Sequence, residues 1–386
     1  MSADARRART AVGVVFALNG LLFASLISRV PDIRAGLELD NGSLGLLLLA
    51  IAVGSLVALP SSGRLIERWS ASLVVRWGAV VGGAGLAVAA LGVATGTVPL
   101  TAVGLVVYGA GIGAWDVAMN VEGAEVERLL ARTVMPRFHA GFSLGTVAGA
   151  ALAVPVVASG VPMLAHLLVL AAVAVVVVAA VVGGFLPVQV SEGDHDRPRA
   201  GSAWLEPRTL VIGVMVLCFA VAEGSANDWL ALALVDGHGA SHAVGVAGFG
   251  LFVTAMTVGR LLGPMLLDRW GRAATLWCTA VLVAAGLLLL VHGGPAPVVV
   301  LGILLWGLGA SLGFPVGMSA AADDPSRSAA RVSVVSTIGY AAFLAGPPLL
   351  GALGDRVGTL DALQVVMVLM VPAAFAVLVT RRAEVS

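Results

Sequence analysis

Apolar stretches of about 20 residues, the length that crosses a hydrocarbon core, recur from Thr10 to Thr380 with only short polar breaks between them. Lipid cannot hydrogen-bond a bare backbone, and an open strand edge would be ruinous there, so the expected element is the helix. Composition points the same way. Of 386 residues 59% are hydrophobic and 11% charged, against roughly one quarter charged in a soluble domain. The polar breaks predict twelve spans, near 10–29, 43–65, 73–94, 99–120, 137–158, 163–187, 208–234, 243–267, 273–293, 297–321, 331–354 and 359–380. The predicted fold class is an all-α membrane protein of twelve transmembrane helices in two pseudo-symmetric six-helix halves.

Arginine fixes the orientation. With the N-terminus placed inside, every Arg falls on the cytoplasmic side except Arg29, Arg34 and Arg356 in external loops and Arg260 within a span. This is the positive-inside pattern, and it puts both termini in the cytoplasm. The most polar stretch, Val188 to Glu206, divides the spans six and six. It gives an N-terminal half at 1–187, a cytoplasmic linker at 188–207 and a C-terminal half at 208–386. Across the linker the halves repeat. Glu67-Arg68-Trp69 answers Asp268-Arg269-Trp270, Tyr108-Gly109-Ala110-Gly111 answers Trp306-Gly307-Leu308-Gly309, and Arg137 with Gly145 answers Arg331 with Gly339. Duplicated six-helix halves are a transporter architecture.

Several chemistries are excluded or disfavoured. No Lys occurs, so there is no P-loop to cradle a nucleotide and no Schiff-base lysine, and the driving energy comes from a gradient or a partner. Cys218 and Cys278 both lie in apolar spans and read as small core residues. Arg6-Arg7 ahead of an apolar stretch resembles a secretion signal, but the stretch is long and further spans follow, so it reads as the first span. Gly141-Phe142-Ser143-Leu144-Gly145 has the Gly-x-Ser-x-Gly spacing of a nucleophile elbow, which makes an intramembrane serine hydrolase the remote alternative. That chemistry needs a strand-to-helix turn, and here the motif sits in an apolar helix. Gly109-x-Gly111-x-Gly113 mimics a dinucleotide loop without a preceding strand, and close helix packing accounts for it better. His238 and His242 have no further metal ligands near them and read as a surface loop.

Gly263-Pro264-Met265-Leu266-Leu267-Asp268-Arg269-Trp270-Gly271-Arg272 resembles the major facilitator loop signature Gly-x4-Asp-Arg-x-Gly-Arg, in the place of its second copy. In the first copy Glu67 replaces the Asp, Ser70 the Gly and Ala71 the base. Ala222–Leu230, Trp306–Pro315, Arg331–Val335 and Gly346–Gly351 resemble a bacterial inner-membrane group related to fucose permease. The resemblance runs from the first span to the twelfth. It implies a multi-pass protein of the bacterial inner membrane that works by proton-coupled alternating access, with Glu67, Arg68, Asp268, Arg269 and Arg272 as gating candidates. It also implies a proton-coupling role for Asp116. The sugar carrier's acid in the first span is missing between Asn19 and Arg29, so the resemblance extends neither to fucose nor to a two-carboxylate proton scheme.

An ionisable group at membrane depth costs several kcal/mol unless it is paired, hydrated or neutral, which makes each one a candidate site. Glu223 falls near the middle of its span, Asn227 follows one turn later on the same face, and Gly224 predicts a helix break there. Glu223, Asn227 and Asp228 are therefore predicted to hold substrate or proton. Asp116 and Asn120 repeat the spacing, whereas Glu125 and Glu127 read as a cytoplasmic helix end bonded to Arg128, Arg132 or Arg137. His139 is expected to pair with Asp116 or Glu122. Arg260 is expected to bind an anionic substrate or, preferably, to lock a cytoplasmic gate with Asp268. Asn19, Trp115, Trp229, Trp306 and Tyr340 are cavity candidates. The predicted function is secondary transport of a small solute, either proton-linked uptake of a sugar-like molecule or proton-linked efflux of an amphipathic metabolite or drug. The expected partners are substrate, protons and the lipid bilayer. No cofactor, metal or nucleic acid is expected, and the protein is expected to be monomeric.

Overall fold

The computed structural model describes residues 3–39, 41–186, 200–240 and 242–380. Every regular element among them is helical, and eleven helical runs are long and apolar enough to cross a membrane. The run Ala247–His292 is bent at Gly271, whose φ of 75° and ψ of 170° are not helical. Most of the expected linker lies outside the described residues. Its described end, Ala200–Leu205, is a 3-10 helix.

Contacts divide the chain into two compact units, Met1–Ala203 with Asp324–Ser333, and Trp204–Asp323 with Val334–Ser386. The first contains α1 (Ala3–Ile27), α2 (Val30–Gly36), α3 (Asn41–Trp69), α4 (Ala71–Ala94), α5 (Val98–Leu130), α6 (Met135–Ala158) and α7 (Met163–Val181). The second contains α8 (Pro207–Leu232), α9 (His242–His292), α10 (Ala296–Ala310), α11 (Gly313–Ala321), most of α12 (Ser328–Val357), α13 (Thr359–Ala362) and α14 (Gln364–Ala376). The first turns of α12 belong to the first unit, where the Ser333 hydroxyl donates to the Leu59 carbonyl.

Missing side chains set the packing of the first unit. A Cβ on Gly85 of α4 would collide with the backbone of Tyr108 and Gly104 on α5, and one on Gly111 would collide with Gly82 and Gly78. The two helices therefore touch backbone to backbone, the close approach that small residues permit in a membrane. Gly109 and Gly113, one turn apart on α5, face Ile51 and Ser55 of α3 instead. The dinucleotide-like glycines are thus divided between two neighbouring helices. Gly145 of α6 likewise abuts the Ala17 carbonyl of α1.

The second unit is built on the same device. Gly286, in the second half of α9, meets Trp306 and Gly302 of α10, and Gly309 meets Val283 and Thr279. Gly339 of α12 packs on the Val216 side chain of α8. The α3–α4 and α9 bends match as well. Ser70 has φ 105° and ψ 154°, close to the angles of Gly271. That region is nearly exclusive to glycine, so Ser70 is strained; its Oγ accepts from Leu73 N at 3.3 Å and caps α4.

Helix α5 runs ten residues past the predicted end near 120 because its acids are satisfied without leaving the helix. Glu122 accepts from Leu186 N at 2.6 Å. Glu127 accepts from Val134 N and Met135 N, at 2.7 and 2.8 Å, and so caps the start of α6, where no other side chain does. Of the acids expected to bond arginine, Glu125 pairs with Arg128, and Glu127 carries out this capping.

Candidate functional site

Within the first unit, Asp116, Asn120 and His139 come together, all buried. Asn120 Nδ2 donates to the Asp116 carbonyl at 2.9 Å, which turns Oδ1 toward His139 Nε2 at 3.1 Å. An amide oxygen only accepts, so His139 carries its proton on Nε2 and donates it. Phe16 of α1 packs edge-on against the imidazole, ring centroids 5.1 Å apart. His139, expected to pair with Asp116 or Glu122, bonds Asn120, one turn along α5 from Asp116, while Glu122 accepts from Leu186 N. Ser143 donates to the His139 carbonyl at 3.2 Å within α6. This is a mid-helix back-bond, not a nucleophile elbow, so the hydrolase alternative has no support in the fold.

Within the second unit, Glu223 of α8 and Arg260 of α9 form an ion pair. Arg260 Nη2 lies 3.0 and 2.9 Å from the two carboxylate oxygens. Arg260 Nε donates to the Ser311 carbonyl at 3.4 Å. That carbonyl is available for a local reason: its helical partner would be the N–H of residue 315, and Pro315 has none. Helix α10 accordingly ends at Ala310, and α11 begins at Gly313. A break near mid-span was expected at Gly224, but α8 runs unbroken from Pro207 to Leu232 with Phe343 against Gly224. The interruption falls instead at Ser311–Leu312, where Pro315 in the sequence is its signal. Trp306 Nε1 donates to the Ala222 carbonyl at 3.1 Å, fixing α8 beside α10 next to the pair.

The other candidates are dispersed. Asn227 and Asp228 are exposed on the following turn of α8, and Trp229 is half-buried against Gly351. Glu67, Arg68, Asp268 and Arg269 are exposed at helix ends. Arg272 reaches Asp323 at 2.7 Å and Ser319 at 2.7 Å, and Arg208 joins the same aspartate at 2.7 Å. Trp115 is fully buried against Gly78, which makes it part of the α4–α5 seam and not a cavity wall. Trp306 is fully buried in the corresponding α9–α10 seam. Tyr340 is half-buried between the rings of Phe314 and Phe343. Asn19 is buried, and its Nδ2 has no hydrogen-bond partner among the described residues.

The residues that sequence reasoning missed are Asp323, Ser319, Arg208 and a cluster around Arg29. Arg29, 2% exposed, donates to His166 Nδ1 at 3.1 Å, the Val161 carbonyl at 2.9 Å and Asp32 at 3.4 Å. As a loop arginine it served only to orient the chain, and nothing near it in sequence points to His166.

Comparison with known proteins decides the family. The Major Facilitator Superfamily profile matches residues 12–347 and again 249–384. The chain belongs to this superfamily. It is 33% identical over 347 residues to an uncharacterized transporter of Sinorhizobium fredii, covering 89% of this chain and 90% of the relative. An uncharacterized transporter of the superfamily from Yersinia pestis is 32% identical over 373 residues, covering 95% and 94%. Among solved structures, the Escherichia coli fucose:proton symporter FucP superposes with a TM-score of 0.81 at 15% identity, covering 97% of this chain and 98% of that one. The proton:xylose symporter XylE gives 0.74 at 16%, covering 95% and 94%. At these identities the structural likeness concerns the fold. The superfamily and the relatives place the chain among multi-pass membrane transporters and not among enzymes.

Proposed function

We propose that this member of the superfamily is a proton-linked secondary transporter of a small solute, working by alternating access, with Glu223 and Arg260 at its centre. The carrying observation is the ion pair itself. A full charge pair inside apolar helices is costly to keep for stability alone, since well-packed apolar residues would serve as well or better. The Ser311 carbonyl, left without its helical partner, adds the kind of interrupted backbone that transporters use near the midplane. The proton symporters among its structural neighbours support the coupling. Asp116, buried one turn before the Asn120 that bonds His139, is the second proton candidate.

Counting the bent α9 as two crossings gives twelve spans, and the repeated glycine seams support two duplicated halves of six. The arginine distribution supports cytoplasmic termini in a bacterial inner membrane. The test is reconstitution into vesicles holding a pH-sensitive dye. A transported solute should move protons with it in the wild type, and Glu223→Gln should lose proton movement while keeping solute exchange. Proton-coupled transport that survives in both Glu223→Gln and Asp116→Asn would remove these acids from the mechanism.

A further inference from the structure

We infer that Arg29, Asp32 and His166 form a clasp at the outer end of the first unit, closed at neutral pH and released when His166 takes up a second proton, so that external acid frees the α1–α2 corner from α7. The outer placement rests on the orientation proposed above. Nothing in the clasp depends on the proton linkage at Glu223. All three residues belong to one compact unit.

Helix α1 ends at Ile27 and α2 begins at Val30, so Arg29 stands in the corner between them. Its buried guanidinium spreads over three partners. Nε donates to His166 Nδ1 at 3.1 Å, Nη2 to the Val161 carbonyl at 2.9 Å and Nη1 to Asp32 at 3.4 Å. Val161 and His166 are distant in sequence, and through them the corner is tied to the α6–α7 loop and to the first turn of α7.

An arginine only donates, so Nδ1 is the bare, accepting nitrogen, and the neutral imidazole keeps its proton on Nε2. That N–H is buried and has no hydrogen-bond partner among the described residues. An unpaired buried donor lowers stability, and an apolar ring would fill the place without that loss. What the imidazole adds is a bond that one proton can cancel. A second proton goes onto Nδ1, the free lone pair of the ring, turns the acceptor into a donor and sets two cations face to face. Of the two ties across the unit only the Val161 carbonyl is then left, and Arg29 turns toward half-buried Asp32.

The charges on the surrounding elements lie elsewhere. Arg29 and Asp32 are the charged neighbours of His166. Arg34 of α2, and Glu38 beyond it, are exposed. Helix α7 packs against α4, α1 and the turn Val182–Gly184. The one charge of α4, Arg76, is near its start, whereas α2 meets the other end, Gly36 against Val93. Those of α1, Asp4, Arg6, Arg7 and Arg9, are at the end away from Arg29, and the turn has none. Arg137 and His139 begin α6, whose other end leads to Val161. Helix α5 has no titratable group before Tyr108, and Arg64, Glu67 and Arg68 of α3 lie at the end away from α2.

Hydrogen exchange of the purified full chain, corrected for the intrinsic effect of pH, tests the clasp at about pH 7.5 and about pH 5.5. In the wild type, peptides covering 25–36 and 161–167 should lose protection at least about tenfold at the lower pH. In His166→Gln they should not, because an amide oxygen accepts from Arg29 at both values. Where that variant fails to fold, Arg29→Gln decides, since it has no cation to drive off and its pH step should vanish. An equal step in either variant, or no step in the wild type, would overturn the proposal. The side is tested separately. Ala35→Cys, exposed on α2, in a chain with Cys218 and Cys278 changed to Ser, should react with a membrane-impermeant maleimide on intact cells. Reaction only after the cells are broken would put the corner inside and overturn both the sensing of external acid and the orientation. Labelling of intact cells with no wild-type pH step would remove the clasp alone.

Discussion

Helix pairs built on the same glycine spacing hold different chemistry. Where α8 and α9 carry Glu223 and Arg260, the position of α3 that matches Arg260 is Leu59. Where α5 and α6 carry Asp116, Asn120 and His139, α11 and α12 carry Phe314, Met318 and Ser333. The seams are shared, Gly85 against Tyr108 in one place and Gly286 against Trp306 in the other. The fold therefore needs the glycines and does not need the polar groups. One set is an amide and an imidazole joined by an ordinary hydrogen bond, and the other is a charge pair whose members depend on each other.

The largest effect should come from splitting that charge pair. Arg260→Leu leaves Glu223 without its counter-charge and should cost about 3–5 kcal/mol, whereas Glu223→Leu with Arg260→Leu should recover most of the loss. Denaturant titration in detergent compares the two, and equal losses would mean that the pair is not a unit. Next come the seams. Gly85→Ala and Gly286→Ala force a Cβ into backbone that cannot yield, and each should cost about 1–3 kcal/mol. Gly13→Ala and Gly250→Ala, with nothing within 4 Å, should instead be neutral or stabilising by up to about 1 kcal/mol. A large gap between the Gly85 and Gly286 variants would break the equivalence of the two seams.

Asn120→Leu should cost about 1–3 kcal/mol, because it strands the buried His139 N–H that Asn120 accepts. His139→Phe in the same background should restore part of it. The smallest change is Ser70→Gly. Relief of the backbone strain outweighs loss of a long cap, so it should stabilise by about 0.5–1 kcal/mol, while Gly271→Ser should do the reverse. Thermal unfolding of both variants sharpens the comparison of the two loops.

The spans and the glycine repeats were legible because a bilayer demands long apolar runs and close helix contact leaves small residues at fixed spacing. Reading failed where a polar group was satisfied by distant backbone. The span was expected to end near 120, yet Leu186, Val134 and Met135 supply N–H groups to Glu122 and Glu127 that let α5 continue through them. Gly224 looked like a break, but a single glycine costs a helix only about 1 kcal/mol, and packing against Phe343 offsets it. Pro315 removes a hydrogen bond outright, and that is where the helix parts. The pairing of Glu223 with Arg260 joins separate helices, a fact of tertiary packing that local periodicity does not encode.

The position of Pro315 also sets an order of events during synthesis. Glu223 emerges first, Arg260 follows 37 residues later, and the Ser311 carbonyl comes last. A carboxyl group can enter a bilayer protonated and neutral, but a guanidinium cannot discard its charge. Because the acid precedes the arginine, the permanently charged residue finds a partner waiting when it reaches the membrane. The reverse order would present the insertion machinery with a lone arginine and nothing yet made to receive it.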